Sequence, residues 1–160
     1  MAESEVLRAP HFIEYTYTRS VGPVIGAFLT GLRDGRILGA TTPSGRVVVP
    51  PTEYDPVTSE EVGELVEVGQ SGVVTTWSWA ARPQKGQPLD RPFAWALVRL
   101  DGADTGLLHV VDAAGPGAMA SGMRVSARWR PAAERIGHLL DIECFVPESG
   151  AEGGAQGAGS

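Results

Sequence analysis

The chain has one cysteine, one lysine and three histidines among its 160 residues, and each scarcity closes a class of function. A single cysteine, Cys144, permits no internal disulfide and no thiolate pair for a metal. His11, His109 and His138 stand far apart, and none forms a metal-binding pair at helical spacing. No apolar run approaches the length of a membrane-spanning helix, so no membrane partner is expected. There is no phosphate loop, dinucleotide fingerprint or Ser-His-Asp order. The start, MAESEVLRAP, lacks the basic opening and apolar stretch of a secretory leader, and a cytoplasmic location is expected.

Positive charge rests almost wholly on arginine, with Lys85 the sole lysine, and the net charge is −6. An acidic chain is disfavoured as a general nucleic-acid binder, because neutralising phosphates supplies most non-specific affinity. The charge is unevenly spread. Glu53, Asp55, Glu60, Glu61, Glu64 and Glu67 form an acidic run uninterrupted by any basic residue. Arg124, Arg128, Arg130 and Arg135 gather later in the chain. Arginine suits fixed contacts to phosphate or carboxylate.

What is present in quantity is glycine and proline, 21 and 12 residues, which favours turns and short strands. Residues 1–19 read as an extended arm with Phe12, Ile13, Tyr15 and Tyr17 as possible anchors. Residues 20–36 hold a helix: Ser20 is a plausible N-cap and Pro23 suits the first turn. Val24, Ile25, Phe28, Leu29 and Leu32 then recur at helical spacing, and Gly35 marks the stop. Residues 37–59 read as a hairpin and its return, turning at Pro43-Ser44-Gly45. Residues 60–147 alternate as five or six short strands, the pattern of a small closed barrel, with the OB-fold first and a β-sandwich second. Residues 148–160, ESGAEGGAQGAGS, are too poor in apolar side chains to order themselves.

The segment Thr41–Thr58 has the frame of a zinc ribbon without its ligands. Thr41 and Ser44, then Asp55 and Thr58, stand where paired thiolates belong. Hydroxyls are poor zinc ligands and one carboxylate cannot hold the ion, so neither metal nor other cofactor is expected. The fold class is therefore mainly β, an OB-fold barrel preceded by a helix and a degenerate, metal-free ribbon hairpin. Catalytic groups are thin. Cys144 lies in an alternating strand and reads as a small buried hydrophobe. His109 reads as a partly exposed strand residue, and Asp141 and Glu143 as solvated carboxylates. No catalytic residue is assigned.

A resemblance adds to this reading. Phe28-Leu29-x-Gly31-Leu32-Arg33-x-Gly35-Arg36-Ile37-Leu38, then Gly45-Arg46-Val47-Val48-Val49-Pro50-Pro51, then Pro92-Phe93-Ala94-Trp95-Ala96-Leu97-Val98-x-Leu100-Asp101 and Ser121-Gly122-Met123-Arg124-Val125 are similar to acyl-CoA-associated zinc-ribbon/OB-fold proteins. The likeness spans roughly residues 20–146, apart from the ribbon ligands. Members of that family accompany thiolase-like enzymes, and some pair with enoyl-CoA hydratases. Thr18–Val24 with Gly26–Arg33 resembles the branch linked to steroid catabolism, where a thiolase-like aldolase cleaves a β-hydroxyacyl-CoA side chain. The resemblance implies a non-catalytic subunit whose partner carries the chemistry.

On that reading the stripe Val24, Phe28 and Leu32 is the expected contact with the partner. Arg124, Arg128 and Arg130 are the expected contacts to the phosphates of CoA, since a regular strand places even-numbered residues on one face. Val125, Ala127 and Trp129 would then face the core. Single-strand nucleic-acid binding is the competing reading, with Trp77 and Trp79 as a stacking platform. The net charge counts against it.

Overall fold

The computed structural model describes residues 9–16 and 20–148; the expectations for 1–8, 17–19 and 149–160 lie outside the described residues. Helix α1 runs Pro23–Arg33. Strands β1 (Leu38–Thr41), β2 (Val47–Val48) and β3 (Leu65–Glu67) follow, then β4 (Ser71–Ala80), β5 (Phe93–Leu100), β6 (Gly106–Val111), β7 (Arg124–Trp129) and β8 (Ile142–Pro147). Two sheets result. One is three-stranded in the order β2-β1-β3, and the other is a closed barrel in the order β4-β5-β6-β8-β7. This is an OB-fold connectivity. Residues 65–67, expected in the barrel, instead pair with β1 and complete the ribbon sheet.

The helix ends as its sequence dictates. Gly35 takes a positive φ of 76°, its N–H donates to Leu32 and that of Arg36 to Gly31, a Schellman closure. Its start differs from expectation. The N-cap is Gly22, not Ser20, and no local side chain caps it. Glu53, 29 residues beyond Val24, accepts hydrogen bonds from the Val24 and Ile25 amides at 3.2 and 3.4 Å. A carboxylate there also favours the positive end of the helix dipole. Gly22 has φ 80°, and a side chain at that position would collide with Glu53.

The apolar stripe is consumed inside the chain. Phe28 and Leu32 are 3% and 0% exposed and join one core with Ile37, Val49, Val68 and the inward residues of the barrel. That placement leaves Phe28 and Leu32 no surface for a partner; Val24 is half-buried. On β5 the inward set is Ala94, Ala96, Val98 and Leu100, and on β6 it is Leu107 and Val111. Gly72 on β4 is needed because a Cβ would press into the Arg99 carbonyl and lie 2.8 Å from Leu100 Cα. Outside the barrel, Phe93, Val110 and Cys144 form a smaller cluster beneath Leu89. The arm residues Phe12, Ile13 and Tyr15 are strongly exposed and anchor nothing in this chain.

Ribbon and barrel are joined by hydrogen bonds at the free edge of β2. Val47 N donates to Asp104 Oδ2 at 2.7 Å, and Asp104 N returns one to Val47 O. Val49 N donates to Thr105 Oγ1 at 2.7 Å, and that hydroxyl donates back to Val49 O. Phe28→Ala should therefore cost folding, by about 3–5 kcal/mol, read as a lower urea midpoint. A variant of native stability that had lost only a partner would return Phe28 to an interface.

Candidate functional site

Binding surfaces in OB-folds lie on the outer face of the second and third barrel strands, between the loop after the first strand and the loop after the fourth. Here those elements are β5, β6, residues 81–92 and residues 130–141. A cleft of about 320 Å³ lies there, walled by Gln87 and Pro88 from the first loop and His138, Leu139 and Leu140 from the second. Trp95, Leu108 and His109 supply its floor. The second loop is shaped by Asp141, which is 2% exposed and accepts from Ile136, Gly137 and His138 amides at 3.1, 2.7 and 3.0 Å. Burial alone would raise its pKa, but those hydrogen bonds bring it below the ordinary value. Asp141 is thus a structural carboxylate, not the solvated one its alternation suggested.

His109 is buried as well, at 2% exposure, because β6 turns residues 107, 109 and 111 inward. Its ring meets Phe145 edge-on at 5.6 Å, and Nε2 lies 3.2 Å from Leu139 O. A carbonyl only accepts, so Nε2 carries the proton and Nδ1 is left as a buried acceptor without a partner. Burial pushes its pKa down, which keeps the ring neutral. Cys144 is fully buried, and burial raises its thiol to about 11. The Cys144 thiol is therefore not a nucleophile at neutral pH, and the His109 ring is shut off from solvent. Sequence spacing gave no sign that His109 and His138 line one cleft, since the closure of β6 against β8 brings them together.

The arginines are divided. Val125, Ala127 and Trp129 face the core as alternation requires, with a register shift between Arg128 and Trp129. Arg124 makes two 2.7 Å bonds to Asp101 and a longer one to Glu148. Arg128 is held by Glu143 at 2.9 Å and Asp112 at 3.0 Å, and Asp112 also binds Arg91 at 2.6 Å. The hydrogen bond from Arg91 is the main cause of the low pKa of Asp112. Arg130 lies past the end of β7 and has no ion-pair partner among the described residues. Trp77 and Trp79 pack on the barrel core and do not form an open stacking platform.

Residues 65–130 match the family model for the C-terminal OB-fold domain of ChsH2. That match runs from β3 to the end of β7 and makes this part of the chain similar to the ChsH2 domain. A chain described as "Ltp2-ChsH2(DUF35) aldolase" superposes with a TM-score of 0.59 at 20% identity, covering 81% of this chain and 98% of that one. A DUF35-family protein of unknown function from Sulfolobus solfataricus superposes with a TM-score of 0.55 at 24% identity, covering 67% and 77%. At these identities the superpositions establish the shared fold. No curated protein matches.

The resemblance to zinc-ribbon proteins raises the question of whether this chain could hold zinc in its ribbon. The residues do not fit. The Thr41 hydroxyl donates to Glu64 O, and Thr58 Oγ1 accepts from Glu60 N, so both are turned to local bonds. Only Ser44 and Asp55 of the four expected positions meet, with Thr42 joining them through a 3.0 Å hydroxyl contact to Ser44. Asp55 is 1% exposed, and its two oxygens accept from Ser44 N at 2.9 Å and Val57 N at 2.8 Å. One carboxylate therefore bridges the two turns that a metal would otherwise tie.

Burial opposes ionisation of Asp55, yet the bonds from Val57 and Ser44 outweigh it and bring the pKa from 3.8 to about 2. A depressed carboxylate pKa stabilises above the unfolded value and loses that contribution as pH falls through the folded one. Acid should therefore loosen the ribbon between about pH 4 and pH 2, seen as faster amide exchange at Ser44 and Val57. Asp55→Asn should lower the melting temperature at pH 7 and flatten that acid transition. A metal chelator should leave the melting temperature where it was.

Proposed function

We propose that this chain is the non-catalytic subunit of a thiolase-like acyl-CoA aldolase, acting in retro-aldol cleavage of a β-hydroxyacyl-CoA side chain in steroid catabolism. The observation that carries the reading is the extent of the superposition on the Ltp2-ChsH2(DUF35) aldolase chain, 98% of which is covered. The likeness takes in most of this chain and not the barrel alone. The character of the ionisable groups supports the same division of labour. Among the described residues no cluster of three His, Cys, Asp or Glu could hold a metal, Cys144 is a buried thiol, and His109 is a buried neutral ring.

In a retro-aldol step the β-hydroxyl loses its proton, the Cα–Cβ bond breaks to leave a carbonyl compound, and the acyl-CoA enolate takes a proton at Cα. The base and acid for this step are assigned to the partner. What this chain can offer is a rigid surface, because helix, ribbon and barrel share one core. The CoA phosphates would meet Arg130 most readily, since Arg124 and Arg128 already hold carboxylates. For contact with the partner, Val24 is the member of the helix stripe that retains accessible surface.

Recovery of the tagged chain from lysate of its native host tests the reading. A thiolase-like protein should co-purify at stoichiometric level, and the pair should cleave a β-hydroxyacyl-CoA that the chain alone leaves intact. An enoyl-CoA hydratase in its place would move the subunit to another step of acyl-CoA metabolism. A folded, monodisperse chain recovered alone would overturn the assignment.

A further inference from the structure

We infer that the cleft between the two barrel loops binds the uncharged, apolar part of a small molecule that carries a carbonyl oxygen. This rests on the reading of the chain as part of an acyl-CoA-processing complex, and it names the portion of the substrate that this subunit would hold. No Asp, Glu, Lys or Arg lines the cleft. Its volume of about 320 Å³ falls within the range of small-molecule sites, roughly 300–1,000 Å³. Leu108 on its floor is 55% exposed, although its neighbours on β6 are covered. A large apolar side chain left open beside Trp95, Leu139 and Leu140 makes a surface that an apolar ligand would cover.

The hydrogen-bonding groups of the cleft set the polarity of the ligand. His138 Nδ1 accepts from Leu140 N at 3.1 Å, so Nε2–H is the position its neutral ring has left to offer. Gln87 Oε1 accepts from Gln84 N at 3.0 Å, which leaves its amide NH₂. Both are donors, and the unpartnered acceptor of the floor, His109 Nδ1, is buried beneath the surface, so a ligand that matches the accessible groups presents an acceptor such as a ketone or thioester oxygen. A second depression of about 210 Å³, sharing Trp95 and Leu108, continues the track past Thr76, Ser78 and Leu97. It provides room for a longer chain or a fused ring along the outside of the barrel.

A single-strand nucleic acid would need cations along its backbone, and no cation lines this cleft; Arg91 and Arg128 are both bound to Asp112. The same argument sets CoA's phosphates outside the cleft.

The test uses the full chain and 2-octanone, an uncharged ketone of suitable length, with free CoA and a short oligothymidine as separate titrants. Indole N–H signals in two-dimensional NMR are assigned with Trp95→Phe. Saturable shifts of the Trp95 indole and His138 imidazole with 2-octanone are expected, and CoA should leave them in place. Leu108→Asp, at an exposed position, should keep a dispersed spectrum and weaken ketone binding at least about tenfold by forcing a carboxylate into the apolar floor. No saturable shift, equal binding by Leu108→Asp, or a response to oligothymidine in place of the ketone would overturn the inference. Ketone binding by a chain that recovers no partner would uphold the cleft and sink the subunit reading, so the two failures are separable.

Discussion

A buried carboxylate that bridges two turns sets the geometry of the ribbon and of the helix start. Asp55 accepts from Ser44 on one turn and Val57 on the other, and so fixes the path of the chain between β2 and β3. Two residues earlier on that path, Glu53 is brought to the first turn of α1 and satisfies amides that no local residue caps. The helix so fixed lays Phe28 and Leu32 into the barrel core. Ionisation of one side chain is thus linked through a loop, a helix start and a packed face to the body of the molecule. Directional hydrogen bonds to an anion are among the stronger ones available. They hold the ribbon with groups the chain itself supplies.

The same economy of charge runs over the surface. The arginines of β7 that stood out as a basic cluster are, for the most part, half of a set of ion pairs. Asp112 sits between Arg91 and Arg128, Glu143 adds a second contact to Arg128, and Asp101 and Glu148 occupy Arg124. Exposed pairs of this kind contribute little stability each, about 0–1 kcal/mol. Their larger effect is to neutralise a face that looked cationic when the residues were read singly. Arg130 and Arg135, past the strand's end, have no ion-pair partner among the described residues, and Arg135 donates instead to Arg130 O.

What was legible in the sequence was what depends on near neighbours. The apolar stripe of α1, the Gly35 stop, and the alternation of β5 and β7 follow from periodicities of 3.6 and 2 and were readable directly. Whether the stripe faced its own core or another protein was not readable, because both require the same residues. The start of α1 was misplaced because its cap comes from Glu53, far along the chain. Leu65–Glu67 alternates like any short strand, and only its pairing with β1 assigns it to the ribbon. Asp141 was read as a solvated strand carboxylate, but it ends a short 3-10 turn before β8 and is turned to the amides of residues 136–138. His109 was read as partly exposed because strand alternation does not say which parity faces inward. The closure of β6 against β8, through the single pair Val111 and Phe145, decides it. The cleft could not be found at all, since its walls are about 50 residues apart and neither carries a motif.

The construction of that cleft divides constancy from adaptability. Its floor belongs to barrel strands whose opposite faces are committed to the core, so change there is opposed by packing on the other side. Its rims belong to residues 81–92 and 130–141, where the chain runs over the surface and its length can vary at small entropic cost. The breadth of what the cleft accommodates can therefore drift with the rims while the barrel keeps its shape. A lineage of such proteins could follow a changing set of molecules without rebuilding the part that folds.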